Sequence, residues 1–410
     1  MKHLGDITKL NGAEVPIVDV ICGGSPCQDL SVAGKRAGLA GERSGLFMDQ
    51  IRIIKEMREH DRAIKGSDVD RRSIRPRYMV WENVPGAFSS NKGEDFRAVL
   101  EETAKVVCED AIIPRPTGGK WSPSGCIMGD GWSIAWRVHD AQFWGVPQRR
   151  KRIALVADFG GESAPEILFE RESLCGDIEE SREEGQGTAG AVEKNLDKAI
   201  SVLENHPADS RIKVCEDNIF QTLSSRMGTG GGNVPLVMRS EDIGEVDSME
   251  TSYGIEPGAA QRLDPTNRIV EGKTPTLRAN AGDNQLAVGN TTVVRRLTPL
   301  ECERLQGYPD GWTDIGDWTD SKGKLHKGES DSPRYKALGN SIALPFWEWM
   351  AKRMISHLDT DHPTMVSLFD GIGGFPLVYS RAGCEPIWAS EIEEFPIAVT
   401  KVRFPEKKEG

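Results

Sequence analysis

Two textures of hydrophobic and polar positions divide the chain. Over the first 160 residues, short apolar runs at 18–22, 78–81 and 153–157 read as buried strands, while 46–60 and 94–107 repeat apolar residues at helical spacing. That alternation predicts an α/β fold built on a parallel sheet. From Gly160 to about Asn290 the periodicity fades and Gly, Ser, Asn and charge take over, which predicts a smaller, loop-rich domain. Further on, Thr298 with Glu301 three residues later predicts the capped start of a short helix at 300–305. An amphipathic helix is expected at 346–355 and a polar linker at 357–364. The α/β texture then resumes with a strand at 365–369, a glycine loop, a helix near Leu377, a strand at 386–389 and a helix from Phe395. The domain division expected is therefore 1–160, 161–290, 291–356, 357–364 and 365–410.

Composition narrows the class. With 410 residues, 38% of them hydrophobic, the chain can fill two or three cores. No apolar stretch approaches a membrane span and the first residues lack the apolar core of a signal peptide, so a cytoplasmic protein with no membrane partner is expected. Eight cysteines without a Cys-x-x-Cys pair suggest free thiols and no metal site. The net charge of −12 is concentrated: residues 161–218 hold 15 Asp and Glu against 6 Lys and Arg, whereas residues 22–159 hold 18 against 22. Basic runs at Arg71-Arg72, Arg75-x-Arg77 and Arg149-Arg150-Lys151-Arg152 are thus available to meet phosphates. Inside the loop-rich region, Gln221 to Arg226 and Pro275 to Asn280 form a faint repeat that offers Arg226, Arg278 and Asn280 as polar candidates.

Two loops carry the candidate chemistry. Cys27 follows Gly23-Gly24-Ser25-Pro26 at the end of an apolar run and precedes a glycine-rich stretch able to close over it, as a presented nucleophile requires. Pro26 and the polar Gln28, Asp29 and Ser31 make the segment a poor continuation of a core. The second loop, Phe369-Asp370-Gly371-Ile372-Gly373-Gly374, lies between a predicted strand and a helix. Its glycines permit close approach of an adenosyl or dinucleotide cofactor, and Glu391, 17 residues on, sits where a carboxylate can bind ribose hydroxyls. Adjacent Gly373 and Gly374 depart from the dinucleotide spacing and favour another adenosyl ligand.

Together these segments resemble the C5-cytosine DNA methyltransferase family, over nearly all of the chain outside 160–290. Pro26-Cys27-Gln28 with Gly34-Lys35 and Ser44-Gly45-Leu46-Phe47 is similar to the family's nucleophile and mobile loop. Glu82-Asn83-Val84 is similar to its acid motif and Gln148 to Arg152 to its base-contacting motif. Arg296 to Pro299 with Glu301, and Gly339-Asn340-Ser341, are similar to the motifs after the recognition domain, and Phe369 to Gly374 with Glu391 to the cofactor motifs. The resemblance implies an S-adenosylmethionine-dependent, Rossmann-like methyltransferase sheet, a target-recognition domain at 161–290, double-stranded DNA as partner, and a monomer. It implies attack by Cys27 on C6 of a flipped cytosine, Glu82 at N3, Arg152 at O2 and Arg150 at a backbone phosphate. Phe369, Gly371, Gly373, Gly374, Glu391, Ile392, Asp6, Ile7, Pro26, Leu46, Asn340 and Ser341 would hold the cofactor. Gln28, Ser31, Lys35, Arg36, Arg43, Arg226, Arg278 and Asn280 would meet DNA.

The order of these segments departs from the family's. The cofactor loop comes last, and Phe404-Pro405-Glu406 would run naturally into Lys2 to Ile7, so the chain reads as a circular permutation or as a rearranged reading frame. RNA cytosine methylation on the same scaffold and a non-catalytic DNA-binding descendant stand as alternatives. Methylation of an exocyclic amine would need an Asp/Asn/Ser-Pro-Pro-aromatic motif, which the sequence lacks.

Overall fold

The computed structural model describes residues 1–25, 45–66, 68–169 and 297–406, together with shorter stretches between 199 and 296. In chain order the main body contains β1 (Lys2–His3), β2 (Val20–Gly23), α1 (Gly45–Lys65), β3 (Tyr78–Asn83), α2 (Glu94–Ala104), β4 (Ser124–Gly129), β5 (Trp132–Asp140), β6 (Lys151–Asp158) and α3 (Ala164–Leu168). The region that follows contributes β7 (Ala199–His206), β8 (Asp209–Cys215), β9 (Leu236–Ser240), β10 (Ser252–Ile255), β11 (Ile269–Glu271), β12 (Ala287–Asn290) and β13 (Thr292–Arg296). The chain then returns through α4 (Pro299–Leu305), the hairpin β14 (Trp318–Thr319) and β15 (Leu325–His326), α5 (Ser332–Asn340) and α6 (Leu344–Ile355). It ends with β16 (Thr364–Leu368), α7 (Gly374–Arg381), β17 (Glu385–Ser390) and α8 (Glu394–Arg403).

Among the described residues the main sheet runs β1-β17-β16-β2-β3-β6-β5-β4. Strands β1, β17, β16, β2 and β3 are parallel, and β6, β5 and β4 complete the sheet antiparallel. Both faces are covered, so its central strands are apolar throughout, as a doubly covered sheet requires. One face packs Ile21, Met79, Trp81, Ile153 and Leu155 on α1 and α2. The other packs Val20, Cys22, Tyr78, Val80 and Val156 on α6 and α7.

Both ends of the chain enter this sheet. Lys2 and His3 pair with Trp388 and Ala389, and the N-terminal ammonium donates to the carbonyl of Phe404 at 3.2 Å. Val20, Ile21, Cys22 and Gly23 pair with Met365 to Leu368. At the start of these strands Asp19 accepts from the Thr364 amide and hydroxyl, each at 2.8 Å, which pins the linker to β2.

The elements expected from periodicity are present with ends displaced by a few residues, and the Thr298–Glu301 capping box forms in both directions. The hairpin β4–β5 and the hairpin β14–β15 were not expected. Residues 161–169 belong to the main body: Arg353 donates to the carbonyls of Ile167 and Phe169, both at 3.0 Å. Phe220, Leu223 and Met227 are also buried in the main core. The remaining described strands form a four-stranded sheet, β13-β9-β7-β8, and a three-stranded one, β11-β10-β12.

Candidate active site at the switch point of the sheet

Strands β16 and β2 lie side by side, yet the chain leaves them in opposite directions, through β17 and β1 on one side and β3 on the other. Such a switch point opens a crevice beyond the carboxyl ends of the strands. Register places Leu368 opposite Gly23, and Gly23 opposite Trp81. The glycine loop after β16, the segment leading to Cys27 and the carboxylate on β3 therefore begin at one level of one edge.

Glu82 lies near the end of β3 and accepts from the Arg152 guanidinium at the start of β6, Nε to Oε1 at 2.8 Å. Both side chains remain partly open, at 17% and 14% exposure. Gly24 passes so close that a Cβ there would lie 3.0 Å from Glu82 Oε2, so a residue without a side chain is needed beside the acid. The chain is then held from β3: the Trp81 indole donates to the Ser25 hydroxyl and the Asn83 amide to the Ser25 carbonyl, both at 3.1 Å. Asn83 and Trp81 thus fix Ser25, the last described residue of this segment. Sequence reasoning quoted Ser25 and Asn83 within their motifs but gave neither a role of its own; a polar residue closing an apolar strand was the available signal at Asn83. Pro26, Cys27, Gln28, Ser31, Lys35, Arg36 and Arg43 lie outside the described residues.

His139 stands directly across from Arg152 in the β5–β6 ladder. Its ring is buried, stacks on Phe346 at 3.7 Å and meets the edge of Trp347. Burial, reinforced by Arg137, Arg152 and Arg150, holds its pKa well below the usual imidazole value. A neutral His139 adds no charge to the Glu82–Arg152 pair.

Arg150 requires a correction. The resemblance assigned it to a DNA phosphate, but its side chain is 1% exposed. It donates to the carbonyls of Leu223 at 2.8 Å and Gly339 at 3.1 Å, and also to that of Ser341. A guanidinium with several donors can join backbone segments that come from distant parts of the chain, and here it braces β6 to residues 219–228 and to the end of α5. The basic run at 71–77 is likewise engaged in structure, and at the opposite end of the sheet. Arg77 grips Asp158 through Nε and Nη2, both at 3.0 Å, Arg71 donates to the Asp130 carbonyl, and Arg75 faces Asp61. Arg226 falls in a turn at Ser225–Gly228 that follows Phe220 and Leu223. Arg278 and Asn280 are outside the described residues.

On the other side of the switch point, Glu391 follows β17. Its Oε2 accepts from the Gly371 amide at 2.7 Å, and Oε1 from the amides of Ile392 and Glu393 at 2.7 and 2.9 Å. The carboxylate shapes the glycine loop while Oε2 keeps capacity for a hydroxyl donor. Phe369 adopts φ +56°, a strained position for a non-glycine residue that the loop imposes. Gly373, at φ +79°, caps α7, and Gly374 packs against Tyr308. Asp6 caps the turn Ile7–Lys9, where the Thr8 amide and hydroxyl lower its pKa. Ile7 is buried and Leu46 partly so, Asn340 is exposed, and the Ser341 hydroxyl bonds Tyr308. Two features fit an adenosyl ligand here: Ile392 is 71% exposed beside Glu391, and the buried Asp370 has no partner on either carboxylate oxygen among the described residues.

A family model described as C-5 cytosine-specific DNA methylase matches residues 1–106 and 128–356. Among curated relatives, a DNA N-6-adenine-methyltransferase of Escherichia phage P1 is 29% identical over 86% of the chain, which spans 55% of that protein. The type II methyltransferase M.BsuFI of Bacillus subtilis is 32% identical over 38% of the chain and 28% of its own length. The type II methyltransferase M.HhaI of Haemophilus parahaemolyticus is 23% identical over 87% of the chain and 82% of its own length. The chain thus spans about half, or less, of the first two of these relatives.

Proposed function

This chain belongs to the C-5 cytosine-specific DNA methylase family, and from that premise we propose that it transfers a methyl group from S-adenosylmethionine to C5 of cytosine in double-stranded DNA. One observation carries the reading: the Glu82–Arg152 pair, the Ser25 anchor ahead of Cys27 and the Gly371–Glu391 loop converge on a single sheet edge. When bound, S-adenosylmethionine supplies an electrophilic methyl group. Glu391, Gly371, Ile392, Phe369 and Asp6 hold the adenosyl part.

The protein's own task is to make C5 nucleophilic. The Cys27 thiolate adds to C6 of the ring, and Glu82 bonds N3 so that the charge pushed into the ring is met by a proton. Arg152, with Nε on Glu82 Oε1 and Nη1 on the Lys151 carbonyl, presents a remaining donor to O2. After C5 is alkylated, its hydrogen leaves as a proton, the C6–S bond breaks and the thiolate returns. Because C6 is shielded in a duplex, the cytosine leaves the stack, and residues 26–44 close behind it with Gln28, Ser31, Lys35, Arg36 and Arg43 toward the DNA. The region 161–290, with Arg226, Arg278 and Asn280, reads base edges in the major groove.

The permuted order is part of this proposal. Placement of β16 and β17 between β1 and β2 supports it, as does the end of the family match at residue 356. The test is Cys27→Ala: methylation of cytosine falls to background while S-adenosylhomocysteine binding persists, and parental activity in the variant refutes covalent catalysis. Nucleoside mass spectrometry of the product DNA also separates this reading from the adenine methylation named for the phage P1 relative. 5-Methylcytosine is expected, and N6-methyladenine in its place overturns the assignment.

A further inference from the structure

Residues 107–127 interrupt the family match, and they build a feature of their own. After α2 the chain turns back along that helix. The Ile113 amide donates to Glu101 at 3.3 Å, and Arg115 reaches Glu94, in the first turn of the helix, at 3.3 Å. The chain then enters β4 through Pro123, whose carbonyl accepts from the Val138 amide at 2.7 Å. Val138 precedes His139, which stands across from Arg152. The tip of the extension, 116–121, is therefore brought to the edge of the sheet that holds the Glu82–Arg152 pair. Two strand spacings separate Pro123 from Arg152, roughly 10 Å.

The tip holds a strained turn in place. Asn91 and Lys92 adopt φ +47° and +57°, left-handed positions uncommon for residues with side chains, and Gly93 follows at +90°. Arg115 donates to the Lys92 carbonyl, and to that of Gly119 at 3.0 Å. The Trp121 indole donates to the Gly93 carbonyl at 2.8 Å and packs edge-on against Phe96. Strain of this kind persists only where the surroundings over-determine it, and it concentrates at functional sites.

What the strained turn and the tip present together is charge. One Arg115 nitrogen joins the Lys92 and Gly119 carbonyls, so the backbones of Lys92 and Lys120 are neighbours. Both lysines are exposed, and neither ammonium has an ion pair among the described residues. The carboxylates nearby are occupied: Glu94 by Arg97 and Arg115, Asp95 by the Ser90 hydroxyl and the Asn91 amide.

We propose that this extension is a DNA-backbone arm, in which Lys92 and Lys120 meet phosphates of the duplex beside the flipped cytosine. Sheet order places the arm on the far side of the Glu82–Arg152 pair from the cofactor loop. Its distance from Arg152 corresponds to roughly three nucleotides of duplex. Ammonium groups act as point charges on phosphate, so the arm adds affinity without sequence preference. The inference rests on the reading of duplex DNA as substrate and adds to it a contact outside the family match.

The test follows binding of the full chain, with S-adenosylhomocysteine present, to a labelled mixed-sequence duplex across a salt series. Lys92→Gln combined with Lys120→Gln should weaken binding at low salt and reduce the slope of log K against log salt by about 1.8, the value for two lost phosphate contacts. Arg62→Gln combined with Arg72→Gln removes the same charge from exposed positions at the opposite end of the sheet and should leave the slope unchanged. An unchanged slope in the first variant, or an equal reduction in both, overturns the proposal. Lys92→Gly, which suits φ +57°, should keep the urea midpoint at or above its parental value and still reduce the slope by about 0.9. A full slope in that variant would show the turn to be structural only. If the unsubstituted protein shows no salt-dependent binding to the duplex, the DNA reading itself fails, a pattern distinct from failure of the arm.

Discussion

The antiparallel pair β3–β6 carries an arginine–carboxylate contact at each end, and the two have opposite characters. At one end Arg77 holds Asp158 through two parallel hydrogen bonds, and the Asp158 carboxylate also accepts from the Ser163 hydroxyl and the Gly160 amide. Asp158 is fully buried and its acceptor sites are filled. At the other end Arg152 meets Glu82 through one oxygen, both side chains stay partly open, and Glu82 Oε2 lies beside Gly24. The same chemistry serves structure where every lone pair is used and water is excluded. It stays available for a substrate where a donor and an acceptor are left over.

The comparison breaks if the two pairs respond alike. Glu82→Gln should lower the single-turnover methylation rate by about 10²- to 10⁴-fold, the range for loss of a proton donor, with an unchanged urea midpoint. Arg77→Ala should do the reverse, costing about 3–5 kcal/mol in urea denaturation because Asp158 is left buried and uncompensated, while folded molecules keep their turnover. Loss of stability with Glu82→Gln, or of turnover alone with Arg77→Ala, would show that the division of labour is misassigned.

Between the pairs in size of effect lies the buried His139, next to Arg152 on the sheet. Its pKa in the folded protein lies below the ordinary 6.5, so the unfolded chain takes up a proton first as pH falls. Its influence is absent above that value and destabilises the fold progressively below it, by about 1.4 kcal/mol per pH unit. His139→Phe, which preserves the stack on Phe346, should flatten the urea midpoint against pH between about 6.5 and 5. An unaltered slope would mean that the imidazole protonates alike in the folded and unfolded chain, against the lowered pKa. Asp158 acts in the same direction at lower pH. Burial alone would raise its carboxyl, but Arg77, Ser163 and Gly160 outweigh that and hold it low, so its contribution is lost as pH falls below the ordinary 3.8.

Much of the architecture was legible because the apolar runs are of strand length, and length, flanking turn residues and β-branched content together mark such runs as strands buried on both faces. The hairpin β4–β5 was missed because β4 is an edge strand whose residues are exposed or half-buried, and such strands carry weak periodicity. Within the site, Glu82, Glu391 and the glycine loop could be picked out by residue type and position after a strand. Arg150 could not be separated from Arg152: they are two residues apart on one basic run, and the chain shows no difference between them. One points into three carbonyl-bearing segments and the other onto Glu82. Asp370 was hidden for the complementary reason, because an aspartate in a glycine loop reads as a turn residue until its lack of partners is seen.

By itself the sequence determined the fold class, the strands and helices that compose it, and the family to which the motifs belong. These follow from local rules, since periodicity and turn chemistry act over a few residues. Only the tertiary structure decided that β16 slides between β17 and β2, that two ion pairs of one ladder divide into a buried, saturated one and a partly open one, and that Asp370 is buried without a counter-charge among the described residues. Burial and partner saturation depend on residues hundreds of positions apart, such as Asp19 and Thr364, and no local pattern encodes which lone pairs the folded chain will leave open.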